Sequence, residues 1–63
     1  MIINHIKFMR EKEVSMQFGI SLSWLRKLRY IEQSPPYYKL GRHVYYNEKE
    51  LEVWLLNKLV PYH

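Results

Sequence analysis

PPYYKLGRHVYYN, residues 35–47, is the stretch of sequence that decides the expected fold. Two short runs rich in tyrosine flank Gly41, Arg42 and His43, and strand-like runs separated by a few residues that include glycine are typical of a β-hairpin. The two prolines before the hairpin cannot continue a helix, because proline lacks the N–H and restricts the residue that precedes it. The stretch therefore predicts a loop followed by a hairpin with a basic tip.

The register of this hairpin decides which of its side chains face the core. We expect a three-residue turn at positions 41–43, which puts Leu40 opposite Val44. The same register puts Tyr38 opposite Tyr46, so that four apolar or aromatic side chains share the inner face. A two-residue turn would instead place a histidine opposite Leu40 and mix polar with apolar side chains. The sequence thus favours the three-residue turn.

Three helices are predicted around the hairpin, over residues 11–18, 22–31 and 48–59. The first ends at Gly19, since glycine suits a C-terminal cap. The second follows Ser21, whose hydroxyl can accept a bond from a first-turn N–H. The third follows Asn47, with Glu50 three residues later as in a capping box, and Pro61 ends it. The predicted fold class is mostly α with a small β-hairpin, a winged helix-turn-helix of three helices and a two-stranded wing.

The length of the chain, 63 residues, allows one domain over residues 1–63, with an N-terminal arm at 1–7 and a C-terminal tail at 60–63. The third helix carries a second apolar stripe, opposite its core-facing residues, made of Val53, Leu56 and Val60. We expect the isoleucines of the arm to cover this stripe, namely Ile2, Ile3 and Ile6. The open alternative is a protein contact, by self-association or by docking to a partner.

Positive charge is concentrated in the middle of the chain. The formal net charge is +4, and the pI is about 9.5. Residues 22–46 carry five basic side chains against one glutamate, whereas the two ends together are balanced. This excess predicts an anionic partner that meets the middle of the chain, although it also lies within the ordinary scatter of small domains.

The composition argues against several other classes of function. Cysteine and aspartate are absent, and His5, His43 and His63 have no ligand spacing, so we expect no metal site and no cofactor. No serine has a recognisable base and orienting acid, so we predict that the protein is not an enzyme. The sequence has neither a signal peptide nor an apolar run of about 18 residues, so we expect a cytoplasmic protein without a membrane partner.

The second helix presents a basic face, as the recognition helix of a helix-turn-helix does. Four side chains share this face, opposite the apolar ones: Ser23, Arg26, Lys27 and Tyr30. Arginine can bind guanine or phosphate with two hydrogen bonds, and serine can contact either group. We therefore expect Ser23 and Arg26 to contact bases. Lys27 and Arg29 are expected to contact phosphates.

Three segments in order, FGIS at 18–21, PPYYKLGR at 35–42 and ELEVWL at 50–55, resemble the excisionase and AlpA-like small phage regulators. These are very small winged helix-turn-helix proteins related to the DNA-binding part of MerR-type regulators. The resemblance implies a major-groove helix at 21–30 and a wing at 39–45 that touches the minor groove or the backbone. It adds four residues to the expected DNA contacts: Ser21, Lys39, Arg42 and His43.

The chain departs from the family pattern at two places. Arg10 stands where the family usually has a capping threonine or serine, so the first helix lacks the usual start signal. The second strand of the wing is aromatic, where the family often carries several arginines. The attraction of this wing for phosphates is therefore expected to be weaker than the family pattern implies.

The expected function is sequence-specific binding to double-stranded DNA. The resemblance implies an excisionase, that is a recombination directionality factor, or an AlpA-like transcriptional regulator of a phage or other mobile element, and the sequence does not separate these two roles. The expected partners besides DNA are an integrase or other recombinase, RNA polymerase, and further copies of the chain that bind cooperatively, with a location in the nucleoid. The alternative, from another class, is a protein-interaction module that acts through the third helix without binding DNA.

Overall fold

The computed structural model describes residues 1–61, so the predicted tail at 60–63 lies partly outside the described residues. The elements in chain order are β1 (Ile2–Ile3), β2 (Ile6–Arg10), α1 (Glu11–Phe18), α2 (Leu22–Tyr30), β3 (Tyr38–Leu40), β4 (His43–Asn47) and α3 (Glu48–Lys58). The four strands form one antiparallel sheet in the order β1-β2-β4-β3. The described chain is a small α/β domain of three helices and a four-stranded sheet.

The core lies between the helices and the two central strands. Met9 of β2 and Tyr46 of β4 are direct cross-strand partners, and both are fully buried. They pack with one buried side chain from each helix, which are Val14 of α1, Leu25 of α2 and Leu51 of α3. Because every helix contributes to the same cluster, the core fixes the position of α1 and α2 relative to the sheet.

The helix boundaries follow the predicted caps. Gly19 ends α1 in the left-handed region, with a φ of 68°. The hydroxyl of Ser21 accepts from the backbone N–H of Trp24 at 3.0 Å, which caps α2. The amide oxygen of Asn47 accepts from the N–H groups of residues 49 and 50 at 2.9 and 3.2 Å, which caps α3. The predicted start and end of α1 are confirmed, and α2 and α3 end one residue earlier than predicted.

The predicted two-stranded wing is part of a larger sheet. β2 pairs with β4 over Phe8, Met9 and Arg10, and β1 folds back onto β2. Asn4 and His5 connect β1 to β2 with φ values of 54° and 68°. Two consecutive positive φ values are the signature of a type I′ turn, which joins two strands without splaying them. The predicted arm at residues 1–7 is therefore a β-hairpin with β2.

The predicted three-residue turn between β3 and β4 is wrong. The pairs are Tyr38 with Tyr45, Lys39 with Val44 and Leu40 with His43, so the turn has two residues. Gly41 has a φ of 61° and Arg42 is not among the described residues with positive φ, a pattern that fits a type II′ turn. Leu40 and Tyr38 consequently lie on the outer face of the sheet and are exposed, whereas Val44 and Tyr46 face the helices as predicted.

The expected cover for the second apolar stripe of α3 is also wrong. All three isoleucines of the N-terminal hairpin are exposed. Ile2 and Ile3 lie in the edge strand β1, and Ile6 lies in the part of β2 that pairs with β1 but not with β4. The stripe itself remains open, since Val53, Leu56 and Val60 are each more than half exposed. The pairing of β1 with β2 takes the place of the contact that the apolar arm was expected to make with α3.

A tryptophan from each of two helices joins α2 to α3. The ring centroids of Trp24 and Trp54 lie 6.1 Å apart, with the rings tilted by 56°. The ammonium of Lys58 lies 5.6 Å from the centroid of the Trp54 ring, a cation–π distance. This contact holds the first turn of α2 against the middle of α3.

Candidate nucleic-acid interface

The four side chains predicted for the basic face of α2 lie together on the surface. Ser23, Arg26, Lys27 and Tyr30 are all exposed, at positions that share one side of a helix. The opposite side carries the buried Leu25, which anchors α2 in the core. The structure therefore brings together a continuous polar and aromatic face on α2.

Two arginines of α2 share one carboxylate of α1. Arg26 donates from Nε and Nη2 to Oε1 of Glu11, at 3.2 and 2.7 Å. Arg29 donates from Nη2 to Oε2 of the same residue, at 3.1 Å. Glu11 is the first residue of α1, where a carboxylate is also stabilised by the helix dipole. These bonds tie the start of α1 to the middle of α2.

The electrostatics of Glu11 agree with this geometry. The hydrogen bond from Arg26, opposed by partial burial and assisted by Arg29, lowers the pKa of the Glu11 carboxyl below its ordinary value. A lowered pKa means that the ionised carboxylate is favoured in the folded protein. Glu11 therefore stays charged at neutral pH, and it balances part of the positive charge of α2.

Arg29 is engaged inside the protein rather than presented to solvent. Its Nη1 donates to the hydroxyl of Tyr46 at 2.7 Å, and its guanidinium lies 5.9 Å from the centroid of the Tyr37 ring. The side chain of Arg29 is 18% exposed, against 57% for Arg26. The sequence-based assignment of Arg29 to phosphate contact therefore meets a side chain that already has three internal partners, one each from Glu11, Tyr37 and Tyr46.

The remaining predicted residues on α2 differ in how many internal contacts they make and in how exposed they are. Ser21 is exposed, but its hydroxyl already accepts the capping bond, so only its hydrogen and second lone pair are left for a ligand. Lys27 makes no salt bridge within residues 1–61. Tyr30 is 88% exposed at the C-terminal end of α2. Lys27 and Tyr30 are thus open to a partner.

The tip of the β3–β4 hairpin carries the other predicted contacts. Lys39, Arg42 and His43 are all exposed. In the observed register Lys39 pairs with Val44, and His43 pairs with Leu40. Because successive pairs face opposite sides of a hairpin, the side chains of Lys39 and His43 lie on opposite faces. Arg42 occupies the turn itself. The structure does not gather the three onto one face.

The outer face of the sheet contains a basic residue that the sequence analysis did not assign. The guanidinium of Arg10 lies 5.6 Å from the centroid of the Tyr45 ring, its direct cross-strand partner. On the same face Tyr38 packs edge-on against Phe8, with centroids 5.6 Å apart. The hydroxyl of Tyr38 donates to Glu50 at 2.8 Å, and this bond raises the pKa of the phenol. The contact of Arg10 with Tyr45 is a cross-strand pair of the kind that stabilises a sheet, whereas the contacts of Tyr38 join β3 to β2 and to α3.

Glu11 is the functional candidate that sequence reasoning missed. Its acidic character near a helix start was visible, but its two arginine partners lie 15 and 18 residues away along the chain. A helix-turn-helix pattern brings the second helix across the first, so an acidic residue in the first turn could have been tested as a partner for the basic face. No spacing rule within one helix would have found it.

Two classes of feature are absent from the residues that the structure describes. None of the helices within residues 1–61 has the length and apolar character that a membrane span requires. The same residues contain no group of three or more histidine, cysteine, aspartate or glutamate side chains that could hold a metal ion.

Comparison with known proteins gives no relative: no family model, no curated protein and no solved structure matches this chain.

Proposed function

We propose that this protein binds double-stranded DNA sequence-specifically, as a small winged helix-turn-helix protein. The observation that carries the proposal is the exposed face of α2, with Ser23, Arg26, Lys27 and Tyr30 on one side of a helix whose other side is buried. A helix presented in this way is what the major groove of DNA admits, and its side chains are the types that contact bases and phosphates.

The bracing of α2 supports the same function. Recognition of base edges needs a helix whose position is fixed, because its side chains must meet the bases at defined places. Here α1 braces α2 through the glycine turn at Gly19, the buried pair Val14 and Leu25, and the carboxylate of Glu11. The β3–β4 hairpin serves as the wing, and Arg42 at its tip reaches a phosphate.

The size of the module determines how it reaches useful affinity. A single small module buries about 600–1,000 Å² of protein surface on DNA, so specificity in a genome needs a second copy or a partner. Two or more copies therefore bind cooperatively to repeated or paired sites. The role is that of an excisionase or of an AlpA-like transcriptional regulator of a mobile element, with a recombinase or RNA polymerase as the larger partner.

Selection of bound sequences from a random pool of duplex DNA tests the proposal. A consensus should emerge, and binding to it should weaken steeply as salt rises, because bound phosphates release counterions. Arg26→Ala should relax the base preference at one position of the site. Lys27→Ala should weaken binding to all sequences, and it should reduce the slope of the logarithm of the binding constant against the logarithm of the salt concentration by about one. Enrichment of no sequence, together with no binding at low salt, would rule the proposal out.

The second candidate function is a protein-interaction module that acts through α3. The observation that favours it is the open apolar stripe of α3, beside an apolar groove of about 520 Å³. The groove is lined by Phe18, Ile20, Trp24, Glu52, Leu55, Leu56 and Leu59. Replacement of Leu56 with a glutamate separates the two functions, since it should leave DNA binding by a single copy intact and abolish any protein contact of the stripe.

A further inference from the structure

The hydrogen bonds of Arg26 divide its guanidinium into an occupied edge and a free end. A guanidinium has five N–H donors, one on Nε and two on each Nη. Glu11 takes the donor on Nε and one donor on Nη2. Both donors on Nη1 and the second donor on Nη2 have no partner within residues 1–61, and the side chain is 57% exposed. The free end of the guanidinium is therefore available to a ligand.

The shape of this free end matches one base edge in particular. Two parallel N–H donors, one from Nη1 and one from Nη2, require two adjacent acceptors. In the major groove guanine presents O6 and N7, which are both acceptors, whereas adenine presents one acceptor and one donor. Thymine offers one acceptor beside a methyl group, and cytosine offers a donor. Only guanine satisfies both donors at once.

The charge of Glu11 also favours a base over a phosphate. The Glu11 carboxylate lies 2.7 Å from Arg26 and offsets part of its charge, so the attraction of Arg26 for an anionic phosphate is reduced, although Arg26, Arg29 and Glu11 together keep a formal charge of +1. The acceptors on guanine are uncharged, and the hydrogen-bonding capacity of the free end is unchanged. A phosphate would in addition bring a second anion close to Glu11.

The second arginine keeps the carboxylate in place. Arg29 binds the other oxygen of Glu11, and Arg29 is itself held by the hydroxyl of the buried Tyr46. The carboxylate is therefore fixed from the core side, and it fixes the plane of Arg26 from behind. Fixing a flexible side chain before binding reduces the entropy lost on binding.

We infer that Arg26 recognises a guanine in the major groove through its Nη1–Nη2 end, and that Glu11 is the positioning residue for this contact. The inference rests on the proposed binding of duplex DNA, and it names the base and the second residue that the proposal leaves open. Glu11 acts through Arg26 and does not touch the DNA.

The experiment measures the affinity of four variants for the selected duplex and for duplexes in which each guanine is replaced in turn. A bidentate arginine contact discriminates against the wrong base by about 5- to 150-fold, so the wild type should lose affinity on this scale at one guanine. Arg26→Ala and Arg26→Lys should lose most of that discrimination. Glu11→Gln should reduce it several-fold, because a neutral amide cannot hold both arginines. Glu13→Gln, on the same turn of α1, is the matched control and should leave it unchanged.

Two further readouts separate a positioning role from a merely structural one. In the Arg26→Ala background, Glu11→Gln should not reduce the discrimination at the guanine any further, because the effects of two residues that act through one contact do not add. The affinity of Glu11→Gln for duplexes without that guanine should stay equal or rise, because a positive charge is released. A uniform loss of affinity on all duplexes, with the guanine discrimination intact, would overturn the inference. Failure of the wild type to bind any duplex would instead overturn the proposed function.

Discussion

Arg29→Met should destabilise the fold by about 2–3 kcal/mol, a large part of the roughly 3–9 kcal/mol expected for a chain of this length. The substitution keeps an unbranched apolar stem but removes the donor that lies 2.7 Å from the hydroxyl of Tyr46. Tyr46 is fully buried, so its hydroxyl is left without a partner at a cost of about 1–3 kcal/mol. The ion pair with Glu11 is lost as well, although Arg26 still balances that carboxylate.

Tyr46→Phe removes the other partner of the same bond and should cost only about 1 kcal/mol, because Arg29 keeps Glu11 and no buried hydroxyl is orphaned. The double variant should therefore be more stable than the sum of the single effects predicts, by about 1 kcal/mol. Urea unfolding followed by circular dichroism measures all three, with the exposed Lys27→Met as the control expected to change stability by less than about 0.5 kcal/mol. Equal losses for the two single variants, or strict additivity, would refute this account of the network.

Three other substitutions test the backbone and the titration of the fold. Gly41→Ala should lower stability by about 1–2 kcal/mol, because the space around Gly41 is open and only its positive φ opposes a side chain; an unchanged melting temperature would contradict the two-residue turn. Glu32→Gly should raise stability by up to about 1 kcal/mol in the same thermal assay, since Glu32 has a φ of 58° after α2, and a loss would show that its side chain matters more than its backbone. Glu11 has a lowered pKa, so the stability it contributes is present above its ordinary value of 4.5 and lost as pH falls through the folded value. The free energy of unfolding should therefore depend less steeply on pH in the acid range for Glu11→Gln than for the wild type. Parallel curves for the two proteins would contradict the pairing of Glu11 with the arginines.

The helices were predictable from local chemistry alone. Ser21 and Asn47 bond first-turn N–H groups, and Gly19 reaches the left-handed region without strain. The starts of α2 and α3 and the end of α1 were therefore decided within a few residues of sequence. The N-terminal hairpin also left a local signal. Asn4 stands at the first position of a two-residue turn between isoleucines, which is where asparagine favours a type I′ turn.

The register of the second hairpin depended on information that its own sequence does not contain. The sequence of the hairpin favours the three-residue turn, because that turn gathers Tyr38 and Leu40 with the inward side chains. In the structure β2 pairs with β4, and its Met9 joins Tyr46 in the core, so the inner face is completed from another strand. His43 beside Leu40 then costs little, because the outer face of the sheet is open to solvent.

The residues of the candidate site were predictable from the sequence, but their hydrogen bonds and ion pairs were not. The period of α2 placed Ser23, Arg26, Lys27 and Tyr30 on one face, and they are exposed there. The helical period does not predict that Arg29 points inward and donates to the hydroxyl of Tyr46 on β4. That difference depends on how α1, α2 and the sheet cross, which is a property of the tertiary fold.

The contact between Trp24 and Trp54 makes tryptophan fluorescence a probe of the packing of α2 against α3. These are the only two tryptophans of the sequence, and they lie in one seam between α2 and α3. Their emission should therefore respond to the separation of these two helices. A shift in emission at constant helix content would mark the moment at which α2 detaches from the rest of the domain.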